Sequence, residues 1–327
     1  MTVLPEEAAS FLRESVGAAW SVEPLAGDAS VRRYFRVRLP DGSTRMLAYY
    51  PPEVRPQLEQ FLEAHRAVEG HGRVPDVLEH SACAVLQVDV GDRTLYDLLH
   101  DDRAEGVRLY RKAIDALVEF QAAGNGGVNP PFSAAFFLGE LEMTRTFFVE
   151  RLMGGEGGEL LPFFRRLCEN LTRHQYVLCH RDYHGQNIHI SNGSLYIIDY
   201  QDMRMGPDSY DLASLLRDRG VARMLGEETE SEFIAYYASR RGADDGLRAR
   251  YFETLLQRSL KILGTFSRQP IERGRLHYLE FIPPTIESVE RCLRELPEFA
   301  ALRAALPLDF SVERARERVK GMAHGQA

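Results

Sequence analysis

The residues most able to do chemistry lie in one short stretch of the chain. Its skeleton is His180, Asp182 and Asn187, followed by Asp199 after an apolar segment. Phosphoryl transfer uses an aspartate that orients the attacking hydroxyl and accepts its proton, together with oxygen ligands for the Mg²⁺ ions that bridge the phosphates. The spacing therefore predicts Asp182 as the hydroxyl-orienting base and Asn187 and Asp199 as metal ligands.

These residues also have simpler interpretations. A loop aspartate can cap a turn and a strand-end aspartate can close an Asx-turn, but the combined spacing favours chemistry at Asp182 and Asp199. We expect His180 to be a packed residue that shapes the loop rather than a catalytic group. His184 and His189 could join it in a zinc site, but the three do not form a helix-borne His-x-x-x-His motif, and we do not predict a zinc site.

Short strands on both sides of this stretch are expected to position it. An apolar strand precedes the histidine, and a β-hairpin with an Asn-Gly turn follows the asparagine. These elements are predicted at residues 176–179, 187–190 and 195–199, with the turn at 191–194. The hairpin would return Asp199 to the side of Asn187, so that both metal ligands and Asp182 converge on one small volume.

The rest of the chain predicts an α+β protein with a small β-rich lobe and a larger, mostly helical lobe. Period-two patterns and turn residues indicate strands early in the chain, whereas three-and-four spacing dominates later. The predicted strands lie at 31–39, 44–50, 74–78 and 82–88. Helices are predicted at 6–16, near 58–65, and at 107–121, 134–153, 160–174, 207–218, 228–240, 244–263 and 283–296. We place the lobes at residues 1–90 and 91–327.

Composition narrows the class of protein. The 327 residues are 44% hydrophobic and 27% charged, which is enough to build a sizeable core, and the net charge of −8 argues against a general nucleic-acid coat. An apolar run long enough to span a membrane and a secretory leader are not evident, so we expect a cytoplasmic protein, and a monomer. The four cysteines are far apart and are predicted to be free thiols. They are Cys83, Cys168, Cys179 and Cys292.

This constellation resembles the aminoglycoside phosphotransferase and choline kinase superfamily, whose fold is similar to that of protein kinases. The resemblance implies that the first lobe binds ATP and that the second is the catalytic and acceptor-binding lobe. It makes Asp182 the catalytic aspartate, and Asn187 and Asp199 the magnesium ligands. The segment 206–213 also matches, and there Asp211 would brace the catalytic loop through backbone N–H groups. A plain helix N-terminal aspartate is the simpler alternative, and both can hold.

Further segments are similar to one branch, the bacterial kinases that phosphorylate the anomeric hydroxyl of N-acetylmuramate or N-acetylglucosamine in cell-wall recycling. The likeness runs over roughly residues 20 to 300. The segments that carry it are 27–36, 51–52, 74–78, 89–92, 95–99, 199–202, 214–218 and 257–264.

The nucleotide site departs from the kinase pattern at its phosphate-binding turn. Protein kinases use three glycines there, whereas the turn at 27–30 has one glycine and the hydroxyl of Ser30. Its backbone N–H groups could still meet a phosphate, although an ordinary hairpin turn is the alternative. The resemblance further places adenine against the backbone of residues 86–90, with Leu86, Gln87 and Val88 as the contacts.

The second departure is a missing lysine. Kinases carry a phosphate-pairing lysine on the third strand, but no lysine precedes Lys112 in this chain, and the strand offers only Arg45 as a cation. We hypothesise that Arg32 or Arg33 supplies the charge, because arginine is always protonated and can grip phosphate with two N–H groups. The alternative is that both belong to a solvated strand face.

The acceptor pocket is expected in the helical lobe near Asp182. Sugar hydroxyls suit carboxylate and amide partners, an acetamido group suits an apolar wall, and a lactyl carboxylate suits an arginine or lysine. For the later residues of this set, an ordinary core or surface position is the alternative. The candidates are Gln201, Asp202, Arg204, Arg258, Lys261, Phe266 and Tyr278.

Three functions follow, in order of preference. The first is ATP-dependent phosphorylation of the anomeric hydroxyl of an amino sugar. The second is phosphorylation of an aminoglycoside or another small molecule, since an acidic protein would suit polycationic drugs. The third is a non-catalytic nucleotide-binding regulator, which the missing lysine favours and the complete set of Asp182, Asn187 and Asp199 opposes.

Overall fold

The computed structural model describes residues 4–25, 31–124, 128–218 and 220–324. The chain divides into two compact units. The first unit comprises Met1–Val128 and Gly185–Met203, and the second comprises Asn129–His184 and Arg204–Ala327. The chain therefore passes from the second unit back into the first directly after the predicted catalytic aspartate.

A five-stranded antiparallel sheet with order β1-β2-β3-β5-β4 is the core of the first unit. Its strands are β1 (Ser21–Pro24), β2 (Arg33–Arg38), β3 (Thr44–Tyr49), β4 (Val77–His80) and β5 (Ala84–Val88). Helix α1 (Glu6–Val16) packs on one face of the sheet. Strand alternation explains this packing, because Phe35 and Val37 point to the same side and are fully buried with Leu12 of the helix.

Helices and a hairpin complete the first unit. The helices are α2 (Pro56–Val68), α3 (Leu95–Asp101) and α4 (Arg103–Gln121), and the hairpin strands are β7 (Ile188–Ser191) and β8 (Ser194–Ile197). Helix α3 begins at a capping box in which Thr94 and Asp97 bond each other's backbone N–H groups. The hairpin turns at Asn192 and Gly193, with φ of 48° and 73°, as an Asn-Gly turn requires.

The second unit is mostly helical. It contains a two-stranded antiparallel sheet of β6 (Tyr176–Cys179) and β9 (Arg204–Pro207). Its helices are α5 (Ala134–Met143), a π-helix (Thr144–Met153), α6 (Leu161–Arg173), α7 (Tyr210–Arg217), α8 (Val221–Arg241), α9 (Leu247–Arg273), α10 (Ile282–Glu295), α11 (Leu302–Ala305) and α12 (Val312–His324). Helix α9 is central, since it packs against α5, α7, α10 and the π-helix.

Most predicted elements are present, although one predicted helix is divided and several elements were not predicted. Strand β6 is present as predicted, whereas the single helix predicted over 134–153 is an α-helix followed by a π-helix. The elements that were not predicted are β1, β9, α3, α11 and α12, of which all but α12 have at most seven residues. The predicted lobe boundary between residues 90 and 91 stays a prediction. The two compact units are a different division of the chain, because they group α3, α4 and the hairpin with the sheet.

The four cysteines are free and buried. Within the described ranges, none of the helices combines the length and apolar character that crossing a membrane requires.

One close helix contact offers a test of the packing in the second unit. Gly264 of α9 lies against the π-helix, where an added Cβ would be 2.5 Å from the backbone nitrogen of Thr144. We predict that Gly264→Ala lowers the free energy of unfolding by about 1–3 kcal/mol in urea denaturation, because backbone cannot move aside cheaply. Gly139→Ala is the matched control, since no atom lies within 4 Å of its added Cβ. A Gly264→Ala protein as stable as the control would contradict this packing.

Candidate active site

The loop that carries Asp182 is anchored by a buried carboxylate in the second unit. Strand β6 ends at Cys179, and Asp211 at the start of α7 accepts the backbone N–H groups of the next two residues. The distances are 2.7 Å from the nitrogen of His180 and 3.0 Å from that of Arg181. Arg181 has a left-handed φ of 81°, so the chain turns sharply here, and the two hydrogen bonds stabilise that turn.

His180 is a structural residue of this loop. Its ring is fully buried and packs edge-to-face on Tyr183, with ring centroids 5.8 Å apart. The Asp182 backbone N–H donates to its Nδ1 over 3.3 Å. The imidazole therefore fixes the backbone immediately before the aspartate side chain.

The Asp182 side chain is exposed to solvent in a concave position surrounded by cations. Desolvation there acts to raise the pKa of Asp182, but the nearby positive charges outweigh it, and the pKa lies below the usual value for aspartate. The side chains with permanent positive charge that lower this pKa include, in decreasing effect, Arg258, Lys261 and Arg181. The carboxylate is thus ionised at neutral pH and able to accept a hydrogen bond from a hydroxyl.

Asp182 lines a cavity of about 890 Å³ in the second unit. This volume is within the range of small-molecule sites. Arg258 and Lys261 line the same cavity, together with an apolar wall that includes Phe266 and Phe281. The two rings contact each other, with centroids 5.4 Å apart.

Two cations beside Asp182 are held by neighbouring groups. Lys261 Nζ lies 2.7 Å from a carboxylate oxygen of Glu140, and its side chain is 25% exposed. Arg258 donates to Ser214 Oγ over 2.8 Å and stacks over the ring of Tyr210 at 4.5 Å. These contacts fix the charges near Asp182 in position before any ligand arrives.

The remaining acceptor candidates lie elsewhere. Arg204 stacks on two phenylalanines, at 5.3 Å from the ring of Phe132 and 4.8 Å from that of Phe136. Tyr278 packs behind Phe266, with centroids 5.7 Å apart. Gln201 and Asp202 belong to the first unit, so the predicted acceptor set divides between the two units.

Asn187 is positioned by a tight turn in the first unit. A single 3₁₀ turn, Gly185–Asn187, leads into β7. An added Cβ at Gly185 would lie 2.8 Å from the hydroxyl oxygen of Tyr110 and 3.0 Å from the backbone nitrogen of Tyr96, so glycine is required here. The turn therefore rests directly on α3 and α4.

The hairpin brings Asp199 to the side of Asn187, as its strand pairing requires. The N–H of Ile198 donates to the carbonyl oxygen of Asn187 over 3.0 Å, and Asp199 follows with a left-handed φ of 64°. Gln201 Nε2 donates to its carboxylate over 2.9 Å, and the Asp199 side chain is 42% exposed.

These two residues fit Mg²⁺. An amide oxygen and an accessible carboxylate are hard oxygen donors, and Mg²⁺ commonly takes few protein ligands because it keeps waters and binds phosphate oxygens. Asn187 and Asp199 would hold the ion, which supplies neutralisation of phosphate charge when bound.

The two candidate arginines point to opposite sides of the sheet. Arg32 lies beside Asp199, one of the two candidate metal ligands, with its guanidinium 3.5 Å from a carboxylate oxygen. Arg33 stacks over Phe35 at 5.2 Å, on the face that α1 covers. Ser30 lies outside the described residues.

The Leu86 side chain lies in the core of the first unit, and its predicted contact with adenine stays a prediction. It is 1% exposed and packs in the cluster with α1, and β5 is paired on one side with β3 and on the other with β4. Gln87 and Val88 also belong to this strand, so the predicted linker begins after residue 88. Gln87 is on the opposite face, paired with Met46.

Tyr50 and the pair His65 and Tyr200 were not recognised from the sequence. Tyr50 is 1% exposed and interacts with Arg32 directly after β3. His65 of α2 lies 2.9 Å from the hydroxyl of Tyr200, the residue after Asp199. A signal that could have identified Tyr50 is the segment Leu47-Ala-Tyr-Tyr50, which shares its alanine with V-A-I-K and has tyrosine where that motif has lysine.

The fold and these residues define a phosphotransferase, and comparison with known proteins agrees. Residues 21–252 match the model of the phosphotransferase enzyme family, and the chain belongs to that family. The fold prediction, α+β of the protein-kinase-like kind, and the prediction of an enzyme are confirmed, so the alternative of a non-catalytic regulator is not retained.

The similar curated proteins include two bacterial kinases. The N-acetylmuramate/N-acetylglucosamine kinase of Pseudomonas aeruginosa is 30% identical over 309 residues, covering 89% of this chain and 90% of that protein. The protein of the same name from Neisseria meningitidis is 31% identical over 308 residues, covering 86% and 88%.

Solved structures are similar in fold. The ADP-bound aminoglycoside phosphotransferase APH(2'')-Ib has a TM-score of 0.58 at 16% identity, over 88% of this chain and 97% of that chain. An ethanolamine kinase of Plasmodium vivax has a TM-score of 0.58 at 13% identity, over 90% and 88%.

The charges around Asp182 predict a pH dependence. Because its pKa is lowered, the carboxylate stays ionised as pH falls, and activity that depends on it should be lost only below the usual aspartate range. Lys261→Met removes one of the lowering charges, so the acid limb of kcat/KM should move to higher pH. Rate profiles from pH 4 to 7 for both proteins measure this. An unmoved limb would show that Lys261 does not act on Asp182.

Proposed function

We propose that this phosphotransferase transfers the γ-phosphoryl group of ATP to the anomeric hydroxyl of N-acetylmuramate or N-acetylglucosamine, in the cytoplasmic recycling of cell-wall amino sugars. The observation that carries the proposal is Asp182, an ionised carboxylate that lines a cavity of about 890 Å³. The names of the curated relatives support the choice of acceptor.

The cavity has the surface that such an acceptor needs. Phe266 and Phe281 offer an apolar wall to the acetamido methyl group, and the cationic groups of Arg258 and Lys261 suit the lactyl carboxylate of N-acetylmuramate. A polycationic aminoglycoside would meet these two cations beside Asp182. The charges next to the reacting carboxylate thus favour a neutral or anionic sugar.

In this proposal Asp182 orients the acceptor hydroxyl. The hydroxyl oxygen forms a bond to the γ-phosphorus while the bond from phosphorus to the β–γ bridging oxygen breaks, and that electron pair leaves with ADP. The hydroxyl proton passes to the Asp182 carboxylate. A carboxylate with a low pKa is a weak base, so it takes the proton only as the new phosphorus–oxygen bond forms.

The other residues hold the reactants. Asp211 positions the loop of Asp182 through its two backbone hydrogen bonds. Asn187 and Asp199 would hold Mg²⁺, and Gln201 orients the Asp199 carboxylate. Gln87 and Val88 remain nucleotide-site candidates.

An acceptor panel tests the function. With Mg-ATP, N-acetylmuramate and N-acetylglucosamine should yield ADP and an acid-labile sugar 1-phosphate that has lost its reducing end. The methyl glycosides of the same sugars are matched controls, since their anomeric oxygen carries no proton, and they should not react. Phosphorylation of the glycosides, or of an aminoglycoside or choline in preference to the sugars, would contradict the proposed acceptor.

Replacement of the orienting carboxylate tests its role. Asp182→Asn should lower kcat by roughly 10²–10⁴-fold while the Kd for Mg-ATP stays nearly constant, because the amide cannot accept the proton. Asp245→Asn changes an exposed carboxylate of the same unit and should leave kcat unaltered. Equal kcat values in the two variants would remove Asp182 from the chemistry.

A further inference from the structure

The chain lacks the third-strand lysine that kinases use to pair with phosphates. Strand β3 runs into Leu47-Ala-Tyr-Tyr50, where V-A-I-K would place the lysine at the last position. The residue there is Tyr50, and no lysine precedes Lys112. A cation from another position is needed if the phosphates are to be paired as in other kinases.

The guanidinium of Arg32 packs against the aromatic rings of Tyr34 and Tyr50. The guanidinium carbon lies 5.8 Å from the ring centroid of Tyr34 and 6.0 Å from that of Tyr50, both within cation–π range. The side chain is 12% exposed and also hydrogen-bonds with the side chain of Tyr50. Two aromatic rings and a hydroxyl therefore fix the direction of the guanidinium.

That direction is toward the metal-ligand candidate. The Arg32 guanidinium nitrogen lies 3.5 Å from a carboxylate oxygen of Asp199. If Asp199 held a metal ion, a phosphate oxygen bound to that ion would be a partner for the guanidinium. Burial raises the pKa of Tyr50, and so its hydroxyl stays protonated beside the arginine.

The neighbouring arginines do not share this arrangement. Arg33 points to the opposite side of the sheet, over Phe35. Arg45 of β3 donates to the carbonyl oxygen of Thr44 over 2.7 Å. Arg32 lies immediately before β2 and Arg33 begins it, so their side chains lie on opposite sides although they are adjacent in sequence.

We propose that Arg32 is the phosphate-binding cation of this enzyme, replacing the third-strand lysine, and that Tyr50 stands in the lysine position to hold the guanidinium. The inference rests on the proposed use of ATP. Arginine contributes a planar pair of N–H donors to phosphate, which a lysine at the same place would not reproduce.

Binding measurements without an acceptor test this assignment. Isothermal titration of Mg-ATP should give an affinity roughly 10–100-fold weaker for Arg32→Ala than for the wild type, as expected for the loss of a charge-assisted contact. Affinity for adenosine, measured by competition, should be unchanged, because adenosine has no phosphate. Arg33→Ala is the matched control and should bind Mg-ATP within about twofold of the wild type.

Two further variants keep the test decisive. Arg32→Lys should recover only part of the affinity, and Tyr50→Phe, which keeps the ring and loses the hydroxyl, should weaken Mg-ATP binding less than Arg32→Ala does. Thermal unfolding identifies any variant that fails to fold. If Arg32→Ala does not fold, the affinities of Tyr50→Phe and Arg33→Ala for Mg-ATP are compared, and an affinity of Tyr50→Phe no weaker than that of Arg33→Ala would contradict the assignment.

The outcomes separate this inference from the proposed function. Unchanged Mg-ATP affinity in Arg32→Ala, or an equal loss for ATP and adenosine, would overturn the role of Arg32 and leave the kinase proposal standing. Absence of Mg-ATP binding by the wild type would overturn both.

Discussion

The catalytic loop depends on one buried carboxylate. Asp211 accepts the N–H groups of His180 and Arg181 at the point where the backbone turns through a left-handed φ. Burial raises the pKa of Asp211, while His180 and the two backbone hydrogen bonds act in the opposite direction. The buried carboxyl group of Asp211 is thus stabilised by the same two backbone N–H groups whose position it fixes. The Asp182 side chain follows from that turn, because its own N–H is fixed to the ring of His180.

The second feature of the site is a set of positive charges held in fixed positions around Asp182. Around Asp182, the cations Arg258 and Lys261 are tied to Ser214 and Glu140, so they keep the carboxylate ionised without depending on a ligand to arrange them. Preorganised charge of this kind acts without reorganisation during the reaction. Under the proposed function, the same cations would favour a neutral or anionic acceptor, because they line the cavity beside Asp182.

Elements that are specified by their own residues could be predicted from the sequence. Strands that form only by pairing with a distant segment could not. Strand β6 and the hairpin were predictable because an apolar run and an Asn-Gly turn specify them locally. Strand β9, Arg204-Met-Gly-Pro207, has no alternation, and only its pairing with β6 makes it a strand. The sequence also does not reveal that α1 covers the face of β5 on which the Leu86 side chain lies. The alternating pattern predicted that the side chains of Arg32 and Arg33 lie on opposite sides of the sheet. Only the fold shows that Arg32 is the one close to Asp199.

The tyrosine at the end of the third strand also changes which reagents can recognise this enzyme. Acylating or sulfonylating nucleotide analogues label many kinases by forming a bond to the amine of the third-strand lysine. Under the proposed assignment of Arg32 and Tyr50, such reagents would meet a buried phenol with a raised pKa and a guanidinium, which is a poor nucleophile. Dicarbonyl reagents that condense with arginine are the chemically matched probes for this site.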